Sequence, residues 1–454
     1  MDLYPYQREG VEHLLRRRCL LLADEMGLGK TVQVVVALRQ LFEWQSIRRV
    51  LIVCPTSLTR LWRLEFRRWA PEIPVVLYEG GDRYGMLEGN AAVLVGSYES
   101  VTNDLRRKTQ DGNIFFDAGL DVLVLDEAQR IKSESSFRGQ ILSRLVAPRR
   151  WAISGTPLEN NAEELRSILR FLAPTEIDEV GEMLDWSSLL AYRDRYLLRR
   201  IKQDVGLQLP ERTMSYVPIA LSPEQAAEYD QKATTFHALL ASPQPLSNAG
   251  ELLATIQHLR RIAAMSSSGE SAKLDFVAEE IGRLLRDSSK AKAVVFSSFA
   301  RRVLPIVRER LAHFGALLLT GDLSAEDREV IQKRFIEDDS CRVMCASLRA
   351  AGVGYTWTVA THVYHMDLWW NPQVLRQAED RVHRIGQRRN VFFRRLVAEN
   401  TIDEAIAQLL TAKENIFDAV IEKRAGDAGH PDFLHDLVAL IAMKQRDQTF
   451  GIAK

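Results

Sequence analysis

The sequence predicts an α/β protein built from two doubly wound parallel-sheet bodies joined by a helical bridge. Three observations predict it. Short Val-, Ile- and Leu-rich runs are apolar on both faces, as strands buried inside a parallel sheet are. Longer amphipathic stretches separate them, which gives the strand–helix alternation of a doubly wound fold. That alternation stops from about Phe171 to about Ser268 and then resumes.

In the first half the strand candidates are Cys19–Ala23, Val50–Cys54, Ala92–Gly96, Val122–Leu125 and Trp151–Ser154. The middle carries helical patterns instead, Pro223 to Leu240 and Gly250 to Met265. Pro243 and Pro245 mark a loop there, and Ser266–Gly269 reads as a hinge. In the second half the candidates are Ala293–Phe296, Ala316–Leu319, Arg342–Ala346, His362–Met366 and Val391–Leu396. The expected division is a first body over 1–172, a bridge and insertion over 173–268, a second body over 269–412 and a helical extension over 413–454.

Composition narrows the class. Of 454 residues 46% are hydrophobic and 26% charged, which is ordinary for a globular protein. No apolar run is long enough to cross a bilayer and the N-terminus lacks signal-peptide character, so a cytoplasmic protein with no membrane partner is expected. Four cysteines make no disulfide framework, and Cys341 and Cys345 lie in an apolar run with no further metal ligands nearby. A net charge of +0 argues against a protein that coats nucleic acid. Basic clusters do occur: Arg60, Arg63, Arg67 and Arg68; Arg106, Arg107 and Lys108; Arg199, Arg200 and Lys202; Arg388 and Arg389. Each alone reads as a solvated face unless the fold gathers them on one groove.

Four motifs carry chemistry. Ala23–Thr31 follows a strand and precedes the helical run Val32–Leu41, the setting of a phosphate-binding loop. Gly27 and Gly29 let backbone amides turn onto phosphate oxygens, Lys30 reaches the outer phosphates, and Thr31 ligates Mg2+. Asp24 stands where the general pattern has its first glycine. Second, the strand Val122–Leu125 ends in Asp126 and Glu127. There Asp126 holds the metal and Glu127 activates the attacking water. Third, Ser154–Pro157 follows a strand; its hydroxyls sense the γ-phosphate or, on the simpler reading, cap a helix. Fourth, Arg381 and Arg384 stand three apart, which on one helix face gives the arginine-finger charge of phosphoryl transfer. The alternative there is an exposed basic helix.

In order, these residues resemble the SWI/SNF-type remodelling ATPases of helicase superfamily two. The resemblance runs through Tyr6–Gly10, Asp24–Thr31, Cys54–Leu58, Gly96–Glu99, Asp126–Gln129, Ser154–Asn161, Leu198–Val205, Val295–Phe299, Leu368–Gln373, Gln377–Gln387 and Asn400–Glu404. Gln129, where many relatives have His, looks like the bacterial branch. The run Ala351–Thr356 stands where the family usually has Gly-Gly-Leu-Gly-Ile-Asn, and it departs from that pattern at Ala351 and Thr356. The resemblance implies two RecA-like lobes that share one ATP and move on double-stranded DNA without separating its strands. It places Gln7 at the adenine edge, and Asp24, Gly354 and Gln377 with the nucleotide. It places Thr56, Ser57, Ser97, Tyr98, Ser298, Phe299, Thr320, Gly321 and Trp369 at the nucleic-acid backbone. It further implies a monomeric motor core, nucleoid-associated if bacterial, with a recruiting protein partner, since no accessory module is visible. The rival readings are a strand-separating helicase, a fork-remodelling or strand-annealing motor, and a nucleotide-gated DNA-binding scaffold.

Overall fold

A computed structural model of the chain describes residues 2–81, 83–88, 91–106, 115, 118–131, 137–155, 162–180, 186–206, 209–240, 249–351 and 356–421. Of the expected site residues Gly354 lies outside this set, as do Thr156 and Pro157 of the third motif. The chain divides into two compact units, Met1–Gln208 and Leu209–Lys454.

The first unit holds strands β1 (Cys19–Leu22), β2 (Val50–Cys54), β3 (Val75–Tyr78), β4 (Val93–Ser97), β5 (Val122–Asp126), β6 (Arg149–Ile153) and β7 (Leu197–Leu198). They form one parallel sheet of order β3-β4-β2-β5-β6-β1-β7. The second unit holds β8 (Arg212–Ile219), β9 (Ala293–Ser297), β10 (Ala316–Leu319), β11 (Val343–Ser347), β12 (His362–His365) and β13 (Val391–Ala398). Its sheet is also parallel, of order β10-β11-β9-β12-β13-β8. Every residue of β2 is completely buried, as is Val343–Ala346 of β11. Each Val or Leu so placed contributes roughly 1.5–3 kcal/mol, which is why these runs carry no polar alternation. Among the described residues no helix is long and apolar enough to cross a membrane.

The segment read as a bridge is divided between the units. Leu189 and Tyr196 enter the first core beside β7. Tyr229 and Phe236, of the helix Pro223–Leu240, pack on the second sheet with Leu252, Ile256 and Leu259 of the helix Ala249–Ala264. Within it lies β8, in a stretch whose sequence carries no repeating strand signal. This edge strand pairs with β13 over its whole length but is only half-buried, so no apolar run announces it, and Pro218 is tolerated because one side lacks a partner strand. Ser266–Gly269 is not a hinge. Glu228 accepts from Ser267 N at 2.7 Å and from Arg261 at 2.9 Å, and Ser266 N donates to Glu270 O at 2.8 Å. Ser271 then caps the helix Ala272–Asp287 through Leu274 N. The turn is tied down inside the second unit.

Candidate active site and nucleic-acid face

The first unit's motifs all sit at the carboxyl edge of its sheet. The phosphate loop follows β1, Ser154 follows β6 and Asp126 ends β5, and these three strands are neighbours. Ligands bind at that edge in open parallel sheets. Gly27 (φ 89°) and Gly29 (φ 76°) take left-handed backbone, and the helix Lys30–Glu43 starts at once. Lys30 Nζ donates to the carbonyls of Asp24 (2.7 Å) and Glu25 (3.4 Å), so the ammonium is held over the loop. Thr31 is half-buried in the first turn. Gln7 is buried against the loop: its Nε2 donates to Leu28 O (3.2 Å) and its Oε1 accepts from Tyr4 N (3.1 Å).

Asp24 proves structural. Fully buried, it accepts from Gln33 Nε2 (3.0 Å) and from Arg200 Nε (3.0 Å) and Nη2 (2.6 Å). Arg200 also donates to Gln33 Oε1 (2.9 Å), Glu9 (3.2 Å) and the Tyr6 carbonyl. Lys202 pairs with Glu25 at 3.2 Å. Arg200 and Lys202 of this basic cluster are therefore not a solvated face: Arg200 is a strut between the phosphate loop and the N-terminal helix, and Lys202 is tied to the loop through Glu25. Breaking one side of such a buried pair costs ~3–5 kcal/mol.

At the end of β5, Asp126 is buried. Trp62 Nε1 donates to its Oδ2 at 2.9 Å and Glu127 N to its Oδ1 at 2.9 Å. Burial first, and Glu127 second, push its carboxyl up to about 7, against the pull of Trp62 and Lys30. Glu127 has φ 52°, a conformation non-glycine residues rarely hold and one that gathers at functional sites. Gln129 Nε2 donates to Glu127, and Ser154 Oγ donates to Gln129 Oε1 at 3.1 Å. Glu127 is thus linked through Gln129 to the strand β6. Gly155, next in line, is closely covered by side chains: a Cβ there would lie 2.6 Å from Met26 Cγ and 3.3 Å from Lys30 Nζ, so the Met26 side chain would have to shift. Gly155→Ala is expected to push Met26 aside, crowd Lys30 and raise the half-saturating ATP concentration about tenfold, the scale of a mild overpacking strain, with the melting temperature lowered by a few degrees. Parallel ATP titrations and melts of the two proteins check this.

Of the expected nucleic-acid contacts in this unit, Thr56 is exposed, its hydroxyl donating to Glu99 at 3.1 Å, and Ser57 is half-buried. Ser97 is buried and accepts from Ser100 N at 2.9 Å. Tyr98 corrects the expectation. Its side chain is fully buried in the first core and its hydroxyl donates to Asp126 O at 2.9 Å, so it supports the β5 terminus and is closed to an external ligand.

In the second unit, Ser298 follows β9, Thr320 and Gly321 follow β10, and Trp369 lies beyond β12, again at one sheet edge. Gly321 is exposed, Thr320 buried, and Ser298, Phe299 and Trp369 half-buried. Gln377 lies on the helix Pro372–Glu379. Arg381 and Arg384 do not share a helix face, because that helix stops at Glu379. The chain then runs through turns, Arg381 O accepting from Trp357 N (2.7 Å) and Gln387 Nε2 donating to Ala360 O (2.9 Å) and Val382 O (3.1 Å).

Trp62, Arg200 and Arg260 belong to these sites and are not among the residues the sequence pointed to. Arg200 had a signal, as part of a basic cluster beside a motif. The other two are defined by partners distant in sequence.

A glycine-rich loop opening a helix, with Asp126 and Glu127 one strand away across a parallel sheet, defines a phosphate-loop α/β protein. Family comparison specifies it: residues 6–267 match the SNF2-related domain and residues 272–386 the helicase conserved C-terminal domain, and the chain belongs to this SNF2-type family of ATP-dependent helicases. Among relatives, a Bacillus subtilis protein provisionally named ATP-dependent helicase/translocase YwqA is 30% identical, over 92% of this chain and 49% of its own length. The mouse DNA annealing helicase and endonuclease ZRANB3 is 29% identical, over 93% of this chain and 41% of its own. This chain therefore spans less than half of either. A solved Sulfolobus solfataricus SWI2/SNF2 ATPase core in complex with dsDNA is 28% identical, covering 93% of this chain and 94% of that one, with a TM-score of 0.43.

Proposed function

We propose that the chain is the motor core of an ATP-driven translocase on double-stranded DNA, one that remodels or displaces protein–nucleic-acid complexes without strand separation. The observation that carries the catalytic half is the convergence of Lys30, Asp126, Glu127 and Ser154 at the ends of the three neighbouring strands β1, β5 and β6. Membership of the SNF2-type family supports the DNA-directed half.

Lys30 and the loop amides bind the phosphates of ATP. The Thr31 hydroxyl and the Asp126 carboxylate are an all-oxygen donor set suited to Mg2+, which prefers one or two carboxylates together with substrate phosphates. The buried Asp126, lifted by Glu127 beside it, is a charge a divalent cation would stabilise. Bound there, Mg2+ neutralises phosphate charge. Glu127 orients a water and accepts its proton as the water oxygen bonds to the γ-phosphorus. The bond from that phosphorus to the bridging oxygen breaks, and ADP and phosphate leave. Arg381 and Arg384 supply positive charge to the transferring phosphoryl group in the working motor. Contacts to the nucleic-acid backbone position the motor without reading sequence.

ATPase activity measured in parallel with duplex DNA, single-stranded DNA and RNA tests this reading. Duplex DNA is expected to stimulate turnover at least tenfold over the protein alone and more than the other two. Equal activity with and without duplex DNA would sink it. A forked substrate should remain paired under ATP. The name of the mouse relative favours a second reading, strand annealing; ATP-dependent pairing of complementary single strands would select it.

A further inference from the structure

Arg260, on the helix Ala249–Ala264, has no exposed side-chain surface. A guanidinium so placed is costly unless its donors are used. Nη1 donates to Gln257 Oε1 (2.8 Å). Nε donates to Leu368 O (3.2 Å), and Nη2 to Leu368 O (2.5 Å), Asp367 Oδ1 (3.1 Å) and Ser298 Oγ (3.3 Å). Asp367 is itself fully buried and accepts from Ser297 Oγ (2.5 Å), Ser298 N (3.0 Å) and Ser298 Oγ. Around the same guanidinium stand three rings, Phe299, Trp369 and Trp370, with centroids 5.5, 5.1 and 4.9 Å from its Cζ. The two indoles stack on each other at 4.1 Å and 22°. Two loops leaving the paired strands β9 and β12 are thereby fastened to one cation that neither contains.

We propose that Arg260 is a positioning residue for nucleic-acid engagement, locking the Ser298–Phe299 turn and the Trp369–Trp370 step into one rigid element. The inference rests on the reading of these loops as nucleic-acid contacts. An apolar side chain would fill the same space. A planar fork of donors does more, because it fixes the angle between a carbonyl, a carboxylate, a hydroxyl and three ring faces at once. Loops held this way need no ordering when the backbone of a ligand arrives, which is where affinity is otherwise lost.

The test is Arg260→Lys, which keeps the charge and removes the planar fork. Half-saturating duplex DNA for ATPase stimulation is expected to rise about tenfold, while half-saturating ATP moves less than about twofold. In a Trp370→Leu background the same change should add clearly less than it does alone, since part of its effect passes through the indoles. A folded Arg260→Lys protein with unchanged half-saturating DNA, with equal shifts for DNA and ATP, or with additive effects, overturns the proposal. If Arg260→Lys does not fold, Gln257→Leu replaces it. That change removes one acceptor, and an unshifted DNA titration then overturns the proposal. If the unaltered chain does not respond to nucleic acid at all, it is the functional reading that fails. Positioning is then judged from the exciton couplet of the stacked indoles in circular dichroism: its loss in the variant supports the proposal and its persistence overturns it.

Discussion

Glu127→Gln is expected to lower DNA-stimulated ATP turnover by ~10³, the range of a lost general base, while leaving ATP binding within a few-fold of the parent. The local geometry makes the substitution unusually clean. The backbone at Glu127 is held in its φ 52° conformation by the end of β5 and by Arg130 N donating to its carbonyl at 3.0 Å. Gln129 Nε2, which donates to the carboxylate, can donate equally to the glutamine carbonyl oxygen. Asp126 keeps its donors, Trp62 Nε1 and the residue 127 amide. What changes is charge and basicity. Loss of the neighbouring carboxylate removes one of the two causes that lift Asp126, the lesser after burial, so Asp126 ionises more readily and phosphate binding does not suffer. Single-turnover hydrolysis and fluorescent-nucleotide affinity, measured together, separate the two effects. Turnover within tenfold of the parent would remove Glu127 from the chemistry.

The legible part of this protein is the part encoded locally. Buried central strands such as β2 and β5 announce themselves as apolar runs because no residue in them meets water. The phosphate loop is legible because phosphate binding needs glycine, lysine and a hydroxyl in immediate succession. Edge strands β3 and β8 were illegible for the opposite reason. Half of each faces outward, and an edge needs pairing, not apolarity, to exist. Arg381 and Arg384 show the limit of spacing arguments: three residues apart implies one face only while the helix lasts, and it ends two residues before Arg381. The buried charges were hardest. Asp24 with Arg200, Arg260 with Asp367 and Lys273 with Asp403 join residues more than a hundred positions apart, and nothing local distinguishes them from solvated side chains.

Glu379→Ala should destabilise the second unit by ~3–5 kcal/mol, the cost of stranding buried cations. Glu379 is almost fully buried and meets a basic group on each of three adjacent strands. Arg395 Nη2 of β13 lies at 3.1 Å, His365 Nε2 of β12 at 3.1 Å, and Arg212 of β8 donates as well. Burial alone would raise its carboxyl pKa. Arg395 and Arg212, and then His365, more than offset that and hold it far below the ordinary range. Because the folded pKa is depressed, the carboxylate's stabilisation is complete above the unfolded pKa of about 4.5 and is lost as pH falls toward the much lower folded value. The stability gap between the parent and Glu379→Gln should therefore be constant at neutral pH and narrow only in acid below about 4.5. For Glu379→Ala the second unit's thermal transition is expected about 10 °C lower. Glu379 also ends the helix from which the chain turns to Arg381 and Arg384, so the same carboxylate that anchors β8 to the sheet sets where those arginines begin. A combined Glu379→Leu and Arg395→Met protein, which removes the anion and its most deeply buried cation together, should recover part of the loss, because Arg212, about a third exposed, then turns to water while no fully buried arginine is left facing an apolar side chain. A Glu379→Ala transition unmoved from the parent's would show that Arg395, Arg212 and His365 find other partners, and that this carboxylate is not what holds β8, β12 and β13 under the turn.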